Sequence, residues 1–323
     1  MTVLMTGVFL LCFIIGIPLA LVLGMTGMAV IFAMGVPMQL VAQRMFAGID
    51  SFPLMAVPFF ILAGDLMNRG GTTARIIAFA DSLVGHIRGG LAHANVLASM
   101  IFAGISGSAV ADTSAIGSIM IPSMEKSGYD VDFSAAVTAT SSVIGPIIPP
   151  SIIMVIYGVS VNVSVGGLFA AGFIPGILMG IALMIVIYRV SKKRNYPRSE
   201  GFSSNRVAHE FRSSIWALMA PIIILGGILG GVFTPTEAAA VAVIYSFFVG
   251  KFVFREIEWR DLPAILFQSG ITTGAVLLII SMANVFAWVV AANQIPVKLS
   301  SMFLSATSNP YVFLLIVNIL LLI

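Results

Sequence analysis

GISGSAVADTS, at residues 104–114, interrupts an apolar stretch that runs from Leu91 to Pro122. A second apolar stretch, from Ser134 to Gly158, is interrupted by GPIIPPS at residues 145–151. Each proline lacks a backbone N–H and clashes with the preceding helical turn, so a regular helix cannot pass through the second interruption. Irregular backbone at membrane depth is tolerated only where protein or a watery cavity satisfies its polar groups. We therefore predict two broken helices whose breaks face each other or a cavity.

The overall composition indicates that lipid is the solvent around these stretches. Of the 323 residues, 59% are hydrophobic and 9% are charged, and the mean hydropathy is +1.09. Soluble domains carry about 25% charged residues, so a globule this apolar could not cover its surface with polar groups. The sequence therefore predicts an all-α polytopic membrane protein.

Segments of about 20 apolar residues are needed to span a bilayer. The predicted crossings are Val3–Leu23, Met25–Ala42, Pro53–Met67, Val165–Val190, Ile215–Val232 and Ala238–Phe254, and a further apolar segment begins at Tyr311. Basic residues are concentrated in one polar stretch, at Lys192, Lys193, Arg194, Arg198 and Arg206. Under the positive-inside rule this loop is cytoplasmic, and the uncharged loop Ser160–Ser164 is predicted to be external. The net charge of +3 therefore does not indicate a nucleic acid partner.

The two halves of the sequence are similar to each other. The span Val3–Leu23 is followed by a turn with threonine and another apolar span, and Ile215–Val232 is followed by FTPTEAAA at residues 233–240. The polar residues within Ser281–Trp288 would mirror the interruption at Ser106. Paired interruptions in two halves are typical of inverted-repeat transporters.

Ser106, Gly107 and Ser108, followed by Asp112, form the sharpest candidate site. Small residues let the backbone turn and expose its carbonyls, and carbonyls with serine hydroxyls suit a hard cation such as sodium. The amino ends of half-helices at such a tip would suit a carboxylate. The alternative is close helix packing through small residues. An acid buried in the membrane favours the functional interpretation.

Gly145-Pro146 and Pro149-Pro150 form the second candidate site, because the freed carbonyls of a broken helix can ligate an ion. The alternative is a simple proline kink. A kink needs a single proline, so the double break favours an ion site.

The pattern Gly104-x-Ser106-Gly107 also matches the nucleophile motif of rhomboid intramembrane proteases. Such an enzyme needs a histidine base on a later span, but the later histidine, His209, falls in the polar loop. The sequence therefore disfavours an intramembrane hydrolase and predicts a protein that is not an enzyme and needs no cofactor.

Residues 104–117 and 145–151, with FTPTEA at 233–238, resemble the large, DctM-like membrane subunit of tripartite ATP-independent periplasmic (TRAP) transporters. The resemblance covers essentially the whole chain. It implies a sodium-driven elevator mechanism within the ion transporter superfamily, in the bacterial inner membrane. It also implies a small four-helix membrane subunit, a periplasmic solute-binding protein and small acids such as C4-dicarboxylates, sialic acids or sugar acids as substrates. A stand-alone sodium–anion symporter of the same superfamily is the alternative.

Carried over by position, the resemblance places the first sodium site at Ser106, Ser108, Gly145 and Pro149. A second hairpin tip is expected at Ser281–Trp288. The full set of candidate ion-binding and substrate-binding residues is Ser106, Gly107, Ser108, Asp112, Thr113, Gly145, Pro146, Pro149, Pro150, Ser281 and Asn284.

The implied organisation begins with scaffold spans and an amphipathic interfacial arm helix in residues 1–90. The hairpin, broken helix and closing span of the first repeat occupy residues 91–190, and a cytoplasmic loop occupies 191–214. Scaffold spans of the second repeat follow at 215–262, and the second hairpin with the start of the next span falls in 263–323. Because the sequence stops inside an apolar segment, we expect this second repeat to be incomplete, without its broken helix and closing span.

Overall fold

The computed structural model describes residues 1–198, 201–306 and 309–322, where the regular structure is helical. The helices are α1 (Thr2–Ile14), α2 (Leu19–Ala33), α3 (Gln39–Ile49), α4 (Ala56–Arg69), α5 (Thr72–Val84), α6 (Gly90–Ser106), α7 (Ala109–Lys126) and α8 (Val131–Ser142). They continue with α9 (Ile152–Val161), α10 (Val165–Lys193), α11 (Ser204–Leu229), α12 (Pro235–Phe248), α13 (Leu262–Ala292), α14 (Ile295–Ala306) and α15 (Pro310–Leu322).

Four helical segments among the described residues are long and apolar enough to cross a membrane. They are Val165–Lys193, Ser204–Leu229, Pro235–Val253 and Trp259–Ala292. The pair Gln39–Ile49 and Phe52–Arg69 is bent by 65° and would make a fifth span if counted as one. The predicted crossings in α10, α11 and α12 thus correspond to observed helices, and the chain is a helical, multi-pass membrane protein.

The predicted boundaries of the first two crossings are wrong. The chain turns at Gly16 and again at Gly35, which have φ angles of +84° and +70°. After Gly16, the amide of Ile17 donates to the carbonyl of Cys12 (3.2 Å), the bond pattern of a Schellman helix end. Each glycine is followed two residues later by a proline that cannot continue the helix, Pro18 and Pro37. The apolar run is therefore divided into α1, α2 and α3 at places where hydropathy alone shows no boundary.

The chain divides into two compact units. The smaller unit contains Met1–Asp50 and Gly274–Ile323. In it, α2 packs closely on the second half of α13, with Gly24 against Met282 and Gly27 against Val285. Its buried core includes Val30, Ile31, Val41, Val285 and Val289.

The interruption predicted at Ser281–Trp288 is also wrong, because these residues lie within the continuous helix α13. The segment contains neither proline nor glycine, so no residue in it forces a break. The hydroxyl of Ser281 donates to the carbonyl of Met45 on α3 (3.0 Å). The polar residues are thus accommodated on an intact helix, and the second hairpin tip does not lie there.

The larger unit, Ser51–Thr273, contains both predicted broken helices. α6 lies at its centre and packs against α4, α5, α7, α8, α10 and α11. The surrounding core includes Phe102, Ile105, Ile116, Met120 and Ile144, all buried.

α5 is the amphipathic arm helix that the sequence predicts within residues 1–90. Its apolar face, with Ile76, Ile77 and Ala80, is buried in the core of the larger unit. Ion pairs hold the helix near both ends, Arg75 with Glu256 (2.6 Å) and Asp81 with Arg206 (2.6 Å). α5 is therefore fixed to α11 and to the segment after α12. Its position at the membrane interface stays a prediction.

Candidate functional site

The first break is a tight turn between α6 and α7. α6 ends at Ser106, and Gly107 follows in the left-handed conformation with φ +58°. Ser108 is the N-cap of α7, since its hydroxyl accepts a hydrogen bond from the amide of Ala111 (3.4 Å). A glycine between two serines allows the reversal because only glycine adopts this φ without steric cost. α6 and α7 are therefore two helices joined by a tight turn, and the re-entrant position of this hairpin in a membrane stays a prediction.

The second break separates α8 from α9. α8 ends at Ser142, and α9 begins at Ile152 with Ser151 as its N-cap. The helical partners of the Gly145 and Pro146 carbonyls would be the amides of residues 149 and 150, which are prolines without an N–H. The Pro149–Pro150 peptide bond is cis. The prolines thus free carbonyl oxygens in a segment that is largely buried.

The two breaks contact each other, as the sequence predicted. A β-carbon on Gly107 would meet the Pro150 carbonyl and would lie 3.0 Å from the Cα of Ser151. A β-carbon on Gly145 would lie 2.6 Å from Oδ2 of Asp112. At Gly107 the close neighbours are backbone atoms of the second break, so a side chain does not fit there. At Gly145 the close neighbour across the contact is the Asp112 carboxylate, which would have to move to admit a side chain.

Asp112 stands at the meeting point of the two breaks. It is fully buried, and the Ser106 hydroxyl donates a hydrogen bond to its Oδ1. No donor among the described residues reaches its Oδ2, and none of the described lysines or arginines pairs with it. We call Ser106, Asp112 and Gly145 the tip site. It combines a carboxylate, a hydroxyl and nearby backbone carbonyls, the oxygen ligands that hard cations prefer.

The remaining predicted residues divide into three groups. Pro149 and Pro150 are buried at the second break, and Pro146 is half-buried. Thr113 is exposed, and its hydroxyl donates to the Ala109 carbonyl of its own helix (2.8 Å). Ser281 and Asn284 belong to the smaller unit, where Asn284 packs against Gly48 of α3. Their part in binding stays a prediction.

Sequence reasoning missed a set of buried polar residues between α6 and α8. Asn95 donates to the hydroxyl of Thr138 (2.7 Å), and Ser99 donates to the hydroxyl of Ser141 (3.0 Å). We call these four residues the polar ladder. All four are fully buried. The sequence did contain a signal, since polar residues recur one helical turn apart within apolar segments.

Neighbouring helices support the hairpin tip through small residues. The backbone of Ser106 packs on Gly64 of α4, and Gly104 packs on Pro221 of α11.

A separate cleft of about 340 Å³ lies where Ser51, Asn162 and Thr234 come together, and none of the tip-site residues lines it.

A multi-pass helical protein whose buried site joins two broken helices has the architecture of a secondary transporter. Comparison with known sequences agrees with that class. The chain belongs to the family of the tripartite ATP-independent periplasmic transporter, DctM component, which matches residues 6–323.

Several known proteins are similar to this chain. The sialic acid TRAP transporter large permease protein SiaM of Vibrio cholerae is 47% identical over 281 residues, 87% of this chain and 66% of that protein. The sialic acid TRAP transporter permease protein SiaT of Haemophilus influenzae is 44% identical over 280 residues, 87% of this chain and 46% of that protein. The 2,3-diketo-L-gulonate TRAP transporter large permease protein YiaN of Escherichia coli is 40% identical over 310 residues, 96% of this chain and 73% of that protein. The chain therefore spans about half to three quarters of the length of these relatives.

Proposed function

We propose that this chain is the membrane-embedded permease subunit of a sodium-coupled, binding-protein-dependent secondary transporter that imports a small organic acid. The observation that carries the proposal is the buried Asp112 carboxylate. Its Oδ1 accepts a hydrogen bond from Ser106, and no donor among the described residues reaches its Oδ2.

Charge balance supports a cation at the tip site. Burying an ionised carboxylate costs several kcal/mol unless it is paired and hydrogen-bonded, and unsatisfied buried polar atoms in native proteins call for an explanation such as an ion. A sodium ion beside Asp112 would neutralise the carboxylate and occupy its second oxygen. Ser106 and the carbonyls around Gly145 would complete the oxygen ligands, with Ser108 and Pro149 near them.

The site also suggests how an ion would be coupled to transport. Ser106 and Asp112 belong to the hairpin, and Gly145 belongs to the broken helix, so a bound cation would hold the two together. Closure of the hairpin would then depend on sodium, and a substrate that needs the closed hairpin would bind more tightly when sodium is present. By linkage, the substrate would raise the affinity for sodium to the same extent.

The order of helices supports an inverted repeat and an elevator mechanism. α5 follows α4 after two residues, and α14 follows α13 after two residues. α6 and α15 come next in each half, so α15 takes the place of the first hairpin limb in the second repeat. α6 contacts α4 and α11 at glycine positions, Gly64 and Gly104. Contacts between small residues would allow the hairpin to slide past these helices.

The names of the relatives support the class of substrate. Besides the sialic acid and diketogulonate permeases, a C4-dicarboxylate TRAP transporter large permease protein of Pseudomonas aeruginosa is 45% identical. An isethionate TRAP transporter permease protein of Oleidesulfovibrio alaskensis is 42% identical. Such similar identities to proteins with different substrates favour the shared class, a small organic anion, over any one compound.

Family membership supports the proposed assembly and location. As part of a TRAP system, the chain would work with a small four-helix membrane subunit and a periplasmic solute-binding protein in the bacterial inner membrane. A stand-alone symporter would transport without either partner. The relatives are permeases, which supports a protein that is not an enzyme.

The test is sodium dependence in the full-length permease. Purified protein should unfold at a higher temperature as sodium is added, with potassium as the ionic control, and proteoliposomes containing the partners should take up substrate down a sodium gradient. Ser106→Ala should raise the half-saturating sodium concentration about tenfold, since a hydrogen bond to a charged group contributes about 1.5–3 kcal/mol. Gly145→Val should abolish uptake, because its side chain would meet Asp112. Uptake that follows a proton gradient and ignores sodium would refute the sodium assignment, and uptake without partners would favour the symporter.

A further inference from the structure

The polar ladder joins α6 to α8 in the interior of the larger unit. Besides its bond to Thr138, Asn95 accepts a hydrogen bond at Oδ1 from the hydroxyl of Ser141 (3.1 Å). Thr138 in turn donates to the carbonyl of Ser134 (2.9 Å). The side chains of Asn95 and Ser99 thus reach across to α8.

The polar ladder lies on the helix faces that lead to the tip site. Asn95 and Ser99 are one turn apart on α6, and Ser106 lies about three turns beyond Asn95 on the same face. On α8, Thr138 and Ser141 lie one turn apart, and Gly145 follows about one turn later. The tip site therefore lies beyond the polar ladder on both sides, about two turns of α6 past Ser99 and about one turn past Ser141.

The pairing also defines a register. Asn95 pairs with Thr138, and the later Ser99 pairs with the later Ser141, so the two helices run in the same direction along this contact. Both helices therefore lead from the polar ladder toward the two breaks, where Gly145 meets Asp112 at the start of α7. A slip of one residue along a helix would move a side chain by about 1.5 Å. Binding sites need their groups held within about 0.5 Å.

We propose that the polar ladder positions the two halves of the tip site and thereby sets the affinity for the coupling cation. This inference rests on the proposed function. Ladder residues act through the backbones of α6 and α8 and do not touch the ion themselves. Core packing alone would hold the helices together, but apolar contacts are not directional. Directional hydrogen bonds specify which residues face each other.

Thr138 allows the hydroxyl to be separated from packing. Thr138→Val keeps the shape of the side chain but removes the hydroxyl that accepts from Asn95, whereas Thr138→Ser keeps the hydroxyl and loses a methyl group. Ser134→Ala is a matched control, because Ser134 is equally buried on α8 and its hydroxyl donates to the Asp130 carbonyl of the same segment (2.9 Å). Ser99→Ala tests the second rung.

The measurement is the half-saturating sodium concentration for thermal stabilisation of the full-length permease, together with its unfolding temperature without sodium. Thr138→Val should raise the half-saturating concentration about three- to tenfold, the range expected from interhelical hydrogen bonds in membranes. Thr138→Ser and Ser134→Ala should stay within about twofold of wild type. A role limited to packing would lower the unfolding temperature without moving the sodium dependence.

Each outcome decides a different point. A sodium response in the wild type that is unchanged in Thr138→Val and Ser99→Ala would overturn the positioning role and leave the tip site standing. A wild type without any sodium response would overturn the proposed function and this inference together. If Thr138→Val does not fold, Ser99→Ala gives the answer, because Ser141 keeps its bond to Asn95 in that variant.

Discussion

Gly107→Ala perturbs the contact on which the tip site depends. Gly107 has a φ of +58°, a conformation that costs an L-residue about 1–2 kcal/mol. The new β-carbon would lie 3.0 Å from the Cα of Ser151 and 3.1 Å from the amide nitrogen of Ile152. These are backbone atoms that cannot rotate away, and overpacking of this kind costs about 1–3 kcal/mol. The total expected cost is about 2–5 kcal/mol.

The same contact gives the expected effect on the ion. Carbon atoms pack at about 3.5–4.0 Å, so the hairpin tip would have to retreat by about 0.5–1 Å. This retreat equals or exceeds the tolerance of about 0.5 Å for a binding site. We expect the half-saturating sodium concentration to rise about tenfold or more, which corresponds to about 1.4 kcal/mol.

Gly128→Ala is the matched control. Gly128 also has a positive φ, +87°, but a β-carbon there would have no neighbour within 4 Å. It should bear only the conformational cost and keep the wild-type sodium dependence. The assay is a sodium titration of thermal unfolding in the purified full-length protein. Unchanged sodium dependence in Gly107→Ala, or an equal loss in both variants, would refute the argument from the contact.

Two further predictions concern the loops. A hydrogen bond from Tyr196, and to a smaller extent one from Arg194, holds the pKa of Asp130 below its ordinary value. The ionised Asp130 carboxylate therefore stabilises the folded protein above about pH 3.9. This stabilisation is lost as the pH falls through the lower pKa of the folded state. The difference in unfolding temperature between wild type and Asp130→Asn should therefore shrink as the pH falls below about 4, and a gap that stays constant would contradict this. In a background without the buried Cys12, a cysteine at position 195 should resist a membrane-impermeant thiol reagent in whole cells and one at 162 should react; the reverse labelling would invert the topology.

Much of the tip site could be predicted because the breaks in its helices result from the covalent structure of individual residues, proline and glycine. Pro149 and Pro150 lack an N–H in any environment, and Gly107 supplies the left-handed turn between two serines. Both breaks were therefore visible in the sequence, and so was their mutual approach, since irregular backbone needs partners inside a membrane. The same reasoning applied to Gly16 and Gly35 would have placed the first helix boundaries, which counting apolar residues did not.

Helix α13 shows the opposite case. Its polar residues suggested an interruption, but whether a serine in an apolar segment breaks a helix depends on what its hydroxyl can reach. Here the carbonyl of Met45 on α3 accepts from Ser281. That partner is distant in sequence, so no local pattern could identify it.

By itself, the sequence determined that this is a multi-pass helical membrane protein and where its two central helices break, because composition and missing backbone donors act without regard to the rest of the chain. Only the tertiary structure decided that Oδ2 of Asp112 faces Gly145 and that Asn95 and Ser99 pair with Thr138 and Ser141. These pairings follow from the packing of α6, α7 and α8 around one core. Which side chains can pair depends on which helix faces are in contact. Those contacts are determined by the packing of apolar surface across the whole unit.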